Sequence, residues 1–290
     1  MSTASQPFDR RAEFDRLLGE LRPKLHRYCA RMTGSVIDGE DVVQEAIVKA
    51  LEAFGAVEKP EAWLFRIAHN AALDHLRRRA RQEALRSDED PDMIDPVTPE
   101  DRLAAAASLH TFMRLPVAQR SSIILMDVLG YSLDEIGTVT EMSVPAIKAS
   151  LNRGRTRLRE LSAEPDERPA PRLSEGERKL LTDYVDRFNA HDFDSVRAML
   201  ADEVKLELVN RSRLSGKDVG RYFGNYATRP EWRFSPGLVD GRAAVLVRRA
   251  GEEAVAYFIL LAWTQDRVAT IRDFHYARYA TDGAEIVAVG

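Results

Sequence analysis

From Ser143 to Arg159 the chain carries Lys148, Arg153, Arg155, Arg157 and Arg159 and no acid. Ser143 can cap a helix, and Pro145 is tolerated in its first turn. On that helix Pro145, Ala149, Asn152, Arg153 and Thr156 form one outward arc, flanked by Lys148, Arg155, Arg157 and Arg159. Small residues at the tip permit close entry into a major groove, and Asn and Arg read base edges or grip phosphates. Upstream, Ser132 followed by Glu135 has capping-box spacing, so Tyr131 to Arg153 takes helix-turn-helix form. Val144, Ile147, Leu151 and Leu158 share the buried side, with Gly154 among them where a small residue lets another helix approach. The turn reads Thr140-Glu141-Met142, so Glu141 must turn the chain without the freedom of glycine.

Three further constellations could carry chemistry. A long helix over Glu61 to Arg86 presents Asn70 and the Arg77-Arg78-Arg79 cluster on a basic face, with Arg66, Trp63 and Phe65 nearby. Arginines and aromatic rings hold single strands by phosphate pairing and stacking. The spacing of Trp63 assigns it to the core instead. Asp41, Gln44 and Glu45 lie on the wet side of the preceding helix. Near the end of the chain, Asp273 and His275 sit two apart on a predicted strand and so share a face. Tyr257, on the strand before, can face them. An Asp–His pair in an apolar pocket suits acid–base chemistry, and the alternative is a satisfied pair at the sheet rim.

The elements that position these residues fall into three blocks. Phe14, Leu17, Leu18, Leu21, Leu25, Tyr28 and Met32 recur at three and four, predicting a helix that stops at Gly34. Asp38 can cap a second helix, with Val42, Val43, Ala46, Ile47, Ala50, Leu51 and Phe54 inward. Ser87 to Asp101 holds seven acids, three prolines and no base, which predicts a linker. Leu103 to Leu161 is helical again, and Pro165 to Pro171 is a second linker. Ser174, with Glu177 three on, opens another helix. Short β-like runs then follow at Val204–Val209, Trp232–Val239, Ala243–Arg249, Ala254–Thr264 and Arg267–Tyr279, with Asp240-Gly241 as a hairpin turn.

Composition narrows the class. The chain has 290 residues, enough for two or three domains. Its net charge of −4 argues against a uniformly basic nucleic-acid binder, but the charge is segregated. Six arginines face two acids from Arg66 to Arg86, next to the acidic Ser87 to Asp101 segment. One cysteine, Cys29, excludes an internal disulfide and a multi-cysteine zinc site. No apolar run reaches membrane-spanning length and no secretory leader is visible, so the expectation is a cytoplasmic protein without metal or cofactor.

At this point the sequence resembles a known family. Leu115-Pro-Val-Ala-Gln-Arg through Gly130-Tyr-Ser-Leu-Asp-Glu-Ile resembles region 4 of sigma-70-type factors. Asp38-Gly-Glu-Asp-Val-Val-Gln-Glu-Ala resembles the region 2 helix that docks on polymerase. Lys59-Pro-Glu-Ala-Trp-Leu-Phe through Leu76-Arg-Arg-Arg resembles the region 2 part that opens the minus-ten element. With regions 1 and 3 missing, the resemblance is to the extracytoplasmic-function group, over about the first 160 residues. It implies promoter DNA contacts at Asn70, Arg77, Arg78 and Arg79, and at Pro145, Lys148, Ala149, Asn152, Arg153, Arg155 and Arg157. It implies a patch at Asp41, Gln44 and Glu45 for the clamp helices of the largest subunit of bacterial core RNA polymerase. It also implies a base-capturing loop at 55–59, and an acidic linker that imitates RNA in the exit channel. Leu173 to about Ala280 resembles the SnoaL-like group of the nuclear-transport-factor-2-like superfamily, through Phe188-Asn-Ala-His-Asp-Phe-Asp-Ser-Val and Leu200-Ala-Asp-Glu-Val.

The expected architecture is therefore two all-α sigma domains followed by an α+β cone with a curved antiparallel sheet. The boundaries are 7–86 for region 2, 87–101 for the acidic linker and 102–163 for region 4. A linker at 164–173, the SnoaL-like domain at 174–280 and a tail at 281–290 complete the chain. The expected function is non-enzymatic: promoter recognition and opening with core polymerase, modulated by the last domain, for which the sequence identifies no small-molecule ligand. Two alternatives stand beside it, a ligand-sensing DNA-binding regulator and a cyclase-like enzyme carrying a helical binding domain.

Overall fold

In the computed structural model, which describes residues 7–53, 57, 59–84, 107–164, 171–227 and 231–289, the chain divides into two units at 1–166 and 167–290. The acidic stretch 87–101 lies outside the described residues, as do most of the 55–59 loop and of the second linker.

The first unit is helical. α1 (Pro7–Thr33) buries Phe14, Leu18, Leu21, Leu25, Tyr28 and Met32, and Gly34, at φ +79, ends it. α2 (Val36–Glu52) is capped by Ser35, whose hydroxyl accepts from the Ile37 and Asp38 amides, not by Asp38 as expected. Ser35 has the extended backbone a cap needs, whereas Asp38 is already in the first turn, where its charge favours the helix dipole. α3 (Pro60–Ala84) completes a three-helix group with Leu64, Phe65, Ala68, Ala71 and Ala72 inward. Trp63 packs half-buried at the edge of this core, 6.2 Å from the Phe14 ring.

α4 (Leu109–Met113) and α5 (Val117–Ile123) follow, and a π-helical turn (Ile124–Val128) continues α5. α6 (Leu133–Thr140) and α7 (Val144–Ala163) then form the helix-turn-helix. The Ser132–Glu135 capping box is present at the start of α6. Gly154 does what its position predicts: a Cβ there would lie 2.7 Å from Ile123 Cδ1, so the glycine lets α7 press against α5. A single apolar core runs from α1 through α7, joining Leu64 and Phe65 to Phe112, Ile123, Ile136, Val139, Ile147 and Leu158.

The second unit opens with α8 (Glu175–Asn189), which carries the Ser174–Glu177 capping box, and α9 (Phe193–Ala198). Seven strands follow: β1 (Leu200–Leu208), β2 (Ser212–Ser215), β3 (Trp232–Val239), β4 (Arg242–Arg249), β5 (Tyr257–Thr264), β6 (Arg267–Asp273) and β7 (Ile286–Ala288). Their order is β2-β1-β6-β5-β4-β3-β7. Asp240 and Gly241 turn the β3–β4 hairpin with φ of 47° and 74°, the signature of a type I′ turn. The sheet is mixed, not wholly antiparallel, because β1 runs parallel to β6. Those strands are far apart in sequence, and the chain returns to β1 only after three antiparallel reversals through β3, β4 and β5. β7 pairs with β3 inside the segment expected to be a tail. Leu181, Tyr184, Val185 and Phe188 of α8 pack on Val245, Val247, Tyr257, Ile259 and Leu261 of the sheet.

Candidate nucleic-acid interface

The recognition helix α7 is built as its sequence demands. Ser143 accepts from the Ala146 amide, and Pro145 sits in the first turn, where no amide is needed. Glu141 closes the turn before it at φ 60°, donating its amide to the Gly137 carbonyl. Pro145, Lys148, Asn152 and Arg153 are exposed and Ala149 is half-buried, but Thr156, expected on the same outward arc, is buried one turn beyond Asn152, so the exposed arc ends at Arg153. Arg155 and Arg157 are placed differently. Arg155 binds Asp127 of the π-helical turn through Nε at 2.9 Å and through a second nitrogen. Arg157 pairs with Glu160 at 3.1 Å along the helix.

The second basic arc lies on α3. Asn70, Arg77, Arg78 and Arg79 are all exposed. Arg77 pairs with Asp74 at 3.0 Å. Arg78 reaches across to Glu45 on α2 at 2.8 Å, and Lys49 reaches the same carboxylate at 2.8 Å. Burial would raise the Glu45 pKa, but these two cations outweigh it and hold the carboxyl below its usual range. Asp41 is exposed and Gln44 half-buried on the same helix. The candidate polymerase patch and the candidate DNA arc therefore adjoin and share one ion pair, which spacing along either helix alone does not reveal.

The pair on the last strand is not arranged as predicted. β6 ends at Asp273, and His275 lies beyond it in a turn, so the two do not share a strand face. The cause is local: Asp273 Oδ1 accepts the His275 amide at 2.8 Å, an Asx-type turn that stops the strand. Asp273 Oδ2 accepts from Tyr222 at 2.8 Å and Tyr226 at 2.6 Å. Tyr257 donates to the Tyr226 oxygen at 3.2 Å, and its ring stands 4.8 Å from that of His275. Burial raises the Asp273 pKa against these hydrogen bonds and the nearby Arg278 charge. Both carboxylate oxygens are engaged by the protein's own donors. Tyr222 and Tyr226 were missed because they lie in short turns between β2 and β3. Their i, i+4 spacing in an apolar stretch was the available signal.

Among the described residues, no group of three His, Cys, Asp or Glu side chains is placed to hold a metal ion, and no helix is long and apolar enough to cross a membrane.

Two helical modules, one ending in a helix-turn-helix, define a class that comparison with known proteins makes specific. The sigma-70 region 2 family model matches residues 17–82, and the sigma-70 region 4 model matches residues 109–158. SigW of Bacillus subtilis, an ECF RNA polymerase sigma factor, is 30% identical over 154 residues, covering 48% of this chain and 82% of SigW. SigG of Mycobacterium tuberculosis, another ECF RNA polymerase sigma factor, is 30% identical over 241 residues, covering 71% of this chain. The chain spans 64% of the length of SigG. The crystal structure of M. tuberculosis SigJ, an extracytoplasmic-function sigma factor, aligns with a TM-score of 0.36 and 22% identity over 90% of this chain and 95% of SigJ. The chain belongs to the extracytoplasmic-function family of RNA polymerase sigma factors.

Proposed function

We propose that this chain binds bacterial core RNA polymerase and directs it to start transcription at a chosen set of promoters. In this reading 7–86 acts as region 2 and 102–163 as region 4. The 174–280 domain modulates them, in the cytoplasm and without catalysis of its own. The observation that carries it is the pair of exposed basic arcs, Asn70 with Arg77–Arg79 on α3 and Lys148, Asn152 and Arg153 on α7, each within a matched sigma module. The α7 arc suits a major groove, and the α3 arc suits an unpaired strand. Asp41, Gln44 and Glu45 are the proposed contact for the clamp helices. Arg155 and Arg157 contribute field and helix anchoring, since each already holds a carboxylate. The engaged oxygens of Asp273 favour a structural or ligand-sensing role for the last domain over proton transfer.

The test is run-off transcription with purified core polymerase on promoters enriched by selection, comparing the full chain with a version ending at Glu164. Specific initiation by either form supports the reading, and the ratio of the two gives the sign of control by the last domain. Failure of both to bind core polymerase and to initiate defeats it.

A further inference from the structure

The exposed side of α7 has a shape as well as a charge. At roughly 100° per residue, Pro145, Ala149 and Asn152 fall close to one line along the helix, with Lys148 and Arg153 each about 70° to either side of it. Thr156 continues the same line but is only 2% exposed, so the line ends at Asn152. Pro145 and Ala149 are small and apolar, which leaves Asn152 as the one polar side chain on the exposed part of the line. Lys148, Asn152 and Arg153 are exposed and, among the described residues, make no side-chain hydrogen bond or ion pair. Arg155 and Arg157, by contrast, already hold Asp127 and Glu160. On the opposite side Ile147, Ser150, Leu151 and Gly154 are buried, so the packing fixes the direction in which Asn152 points.

A helix lying in a major groove turns its central line to the base edges and its flanks to the two phosphate backbones. The long side chains of Lys148 and Arg153 suit the flanks, where contacts position the protein without reading sequence. Asparagine is short, so it reaches a base edge only when the helix backbone comes close, and the small Pro145 and Ala149 on the same line permit that approach. Its amide offers an acceptor oxygen beside an NH2 donor. Adenine alone presents the matching pair in the major groove: N7 accepts from Asn Nδ2, and the N6 amine donates to Asn Oδ1. Guanine sets two acceptors there, cytosine only a donor, and thymine an acceptor beside a methyl group. Each of those leaves one half of the desolvated amide unpaired, which is costly.

We propose that Asn152 is a specificity-determining residue, and that it selects an adenine in the promoter element entered by α7, while Lys148 and Arg153 grip phosphates on either side of it. This rests on the proposed sigma function. The readout is then concentrated in one uncharged side chain, and the cations around it supply affinity that is the same for every sequence.

The experiment uses the full chain with core polymerase and a library of promoters randomised in the upstream element, each template carrying a transcribed barcode. Sequencing the transcripts gives the base preference at every position. The wild type should favour adenine at one position by roughly tenfold or more. Asn152→Ala should abolish the preference at that position alone. Asn152→Arg should turn it to guanine, whose O6 and N7 match a guanidinium, and leave the other positions as they were. Lys148→Ala and Arg153→Ala should lower output from all templates alike. Asn152 is exposed within a helix and alanine is the better helix former, so the melting temperature of Asn152→Ala should not fall. The assignment is overturned if Asn152→Ala keeps the wild-type profile, if it loses output evenly across sequences as a phosphate contact would, or if the position that changes prefers a base other than adenine. If the wild type neither binds core polymerase nor initiates on any template, the sigma reading itself falls, and the base assignment with it.

Discussion

Arg155 and Asp127 form a two-point ion pair between the recognition helix and the π-helical turn, and the Asp127 side chain is completely buried. An arginine on the proposed DNA-binding helix is thus partly a structural strut. Its removal leaves a buried carboxylate without its guanidinium, so Arg155→Ala should destabilise the first unit by about 3 kcal/mol in chemical denaturation. Arg153→Ala, on the exposed arc, should leave stability unchanged and reduce the salt dependence of promoter binding by about one ion. Equal effects of the two variants on stability would contradict this division of labour.

Helical periodicity located α1, α3 and α7 and the outward arc as far as Arg153, because each helix has one wet and one dry face, but it put the buried Thr156 on the wet side. It did not show that Arg155 has a carboxylate within reach, because Asp127 lies 28 residues away. The same limit explains Tyr222 and Tyr226, which meet Asp273 only through the fold. It also explains His275, where a side-chain hydrogen bond to the backbone overrode the two-residue alternation of a strand. β2 and β7 escaped notice because runs of four and three residues are too short for a period to register.

His69 supplies a pH dependence. Its Nδ1 lies 2.7 Å from the Tyr28 hydroxyl, and burial lowers its pKa from 6.5 to about 4. The folded protein therefore holds it neutral, while the unfolded chain takes up a proton below pH 6.5. Stability is full above that pH and is lost as pH falls towards 4, by about 3 kcal/mol over the whole window. Denaturant titrations at pH 7.5 and 5.0 should show a smaller loss for His69→Gln than for the wild type. An identical loss would mean other groups set the acid sensitivity.

Asp273 depends on its tyrosines in a way that a double substitution exposes. Tyr222→Phe or Tyr226→Phe alone leaves the other hydroxyl on Oδ2 and should cost about 1 kcal/mol. Both together strip that oxygen of its side-chain donors in a site that is 1% exposed, so the cost should exceed the sum. Thermal melts of the four proteins in this cycle measure the coupling. Simple additivity would mean that the carboxyl finds replacement donors, or is already protonated.

Two glycines one helix apart should respond to the same change with opposite sign. A Cβ on Gly39 of α2 would lie 2.6 Å from both the nitrogen and Cα of Ala30, and helix backbone cannot step aside as a flexible side chain can. Gly39→Ala should therefore force α1 and α2 apart and destabilise the unit by about 1–3 kcal/mol. Gly19, within α1, has nothing within 4 Å of the same position. Gly19→Ala there gains only helix propensity and should stabilise by about 0.5–1 kcal/mol. Because α2 also carries the proposed polymerase contact at Asp41, Gln44 and Glu45, the loss at Gly39 should weaken polymerase binding as well, and the gain at Gly19 should not. Denaturation curves and polymerase affinities for the two variants separate these effects. A destabilising Gly19→Ala, or a neutral Gly39→Ala, would show that the α1–α2 contact is looser than these distances require.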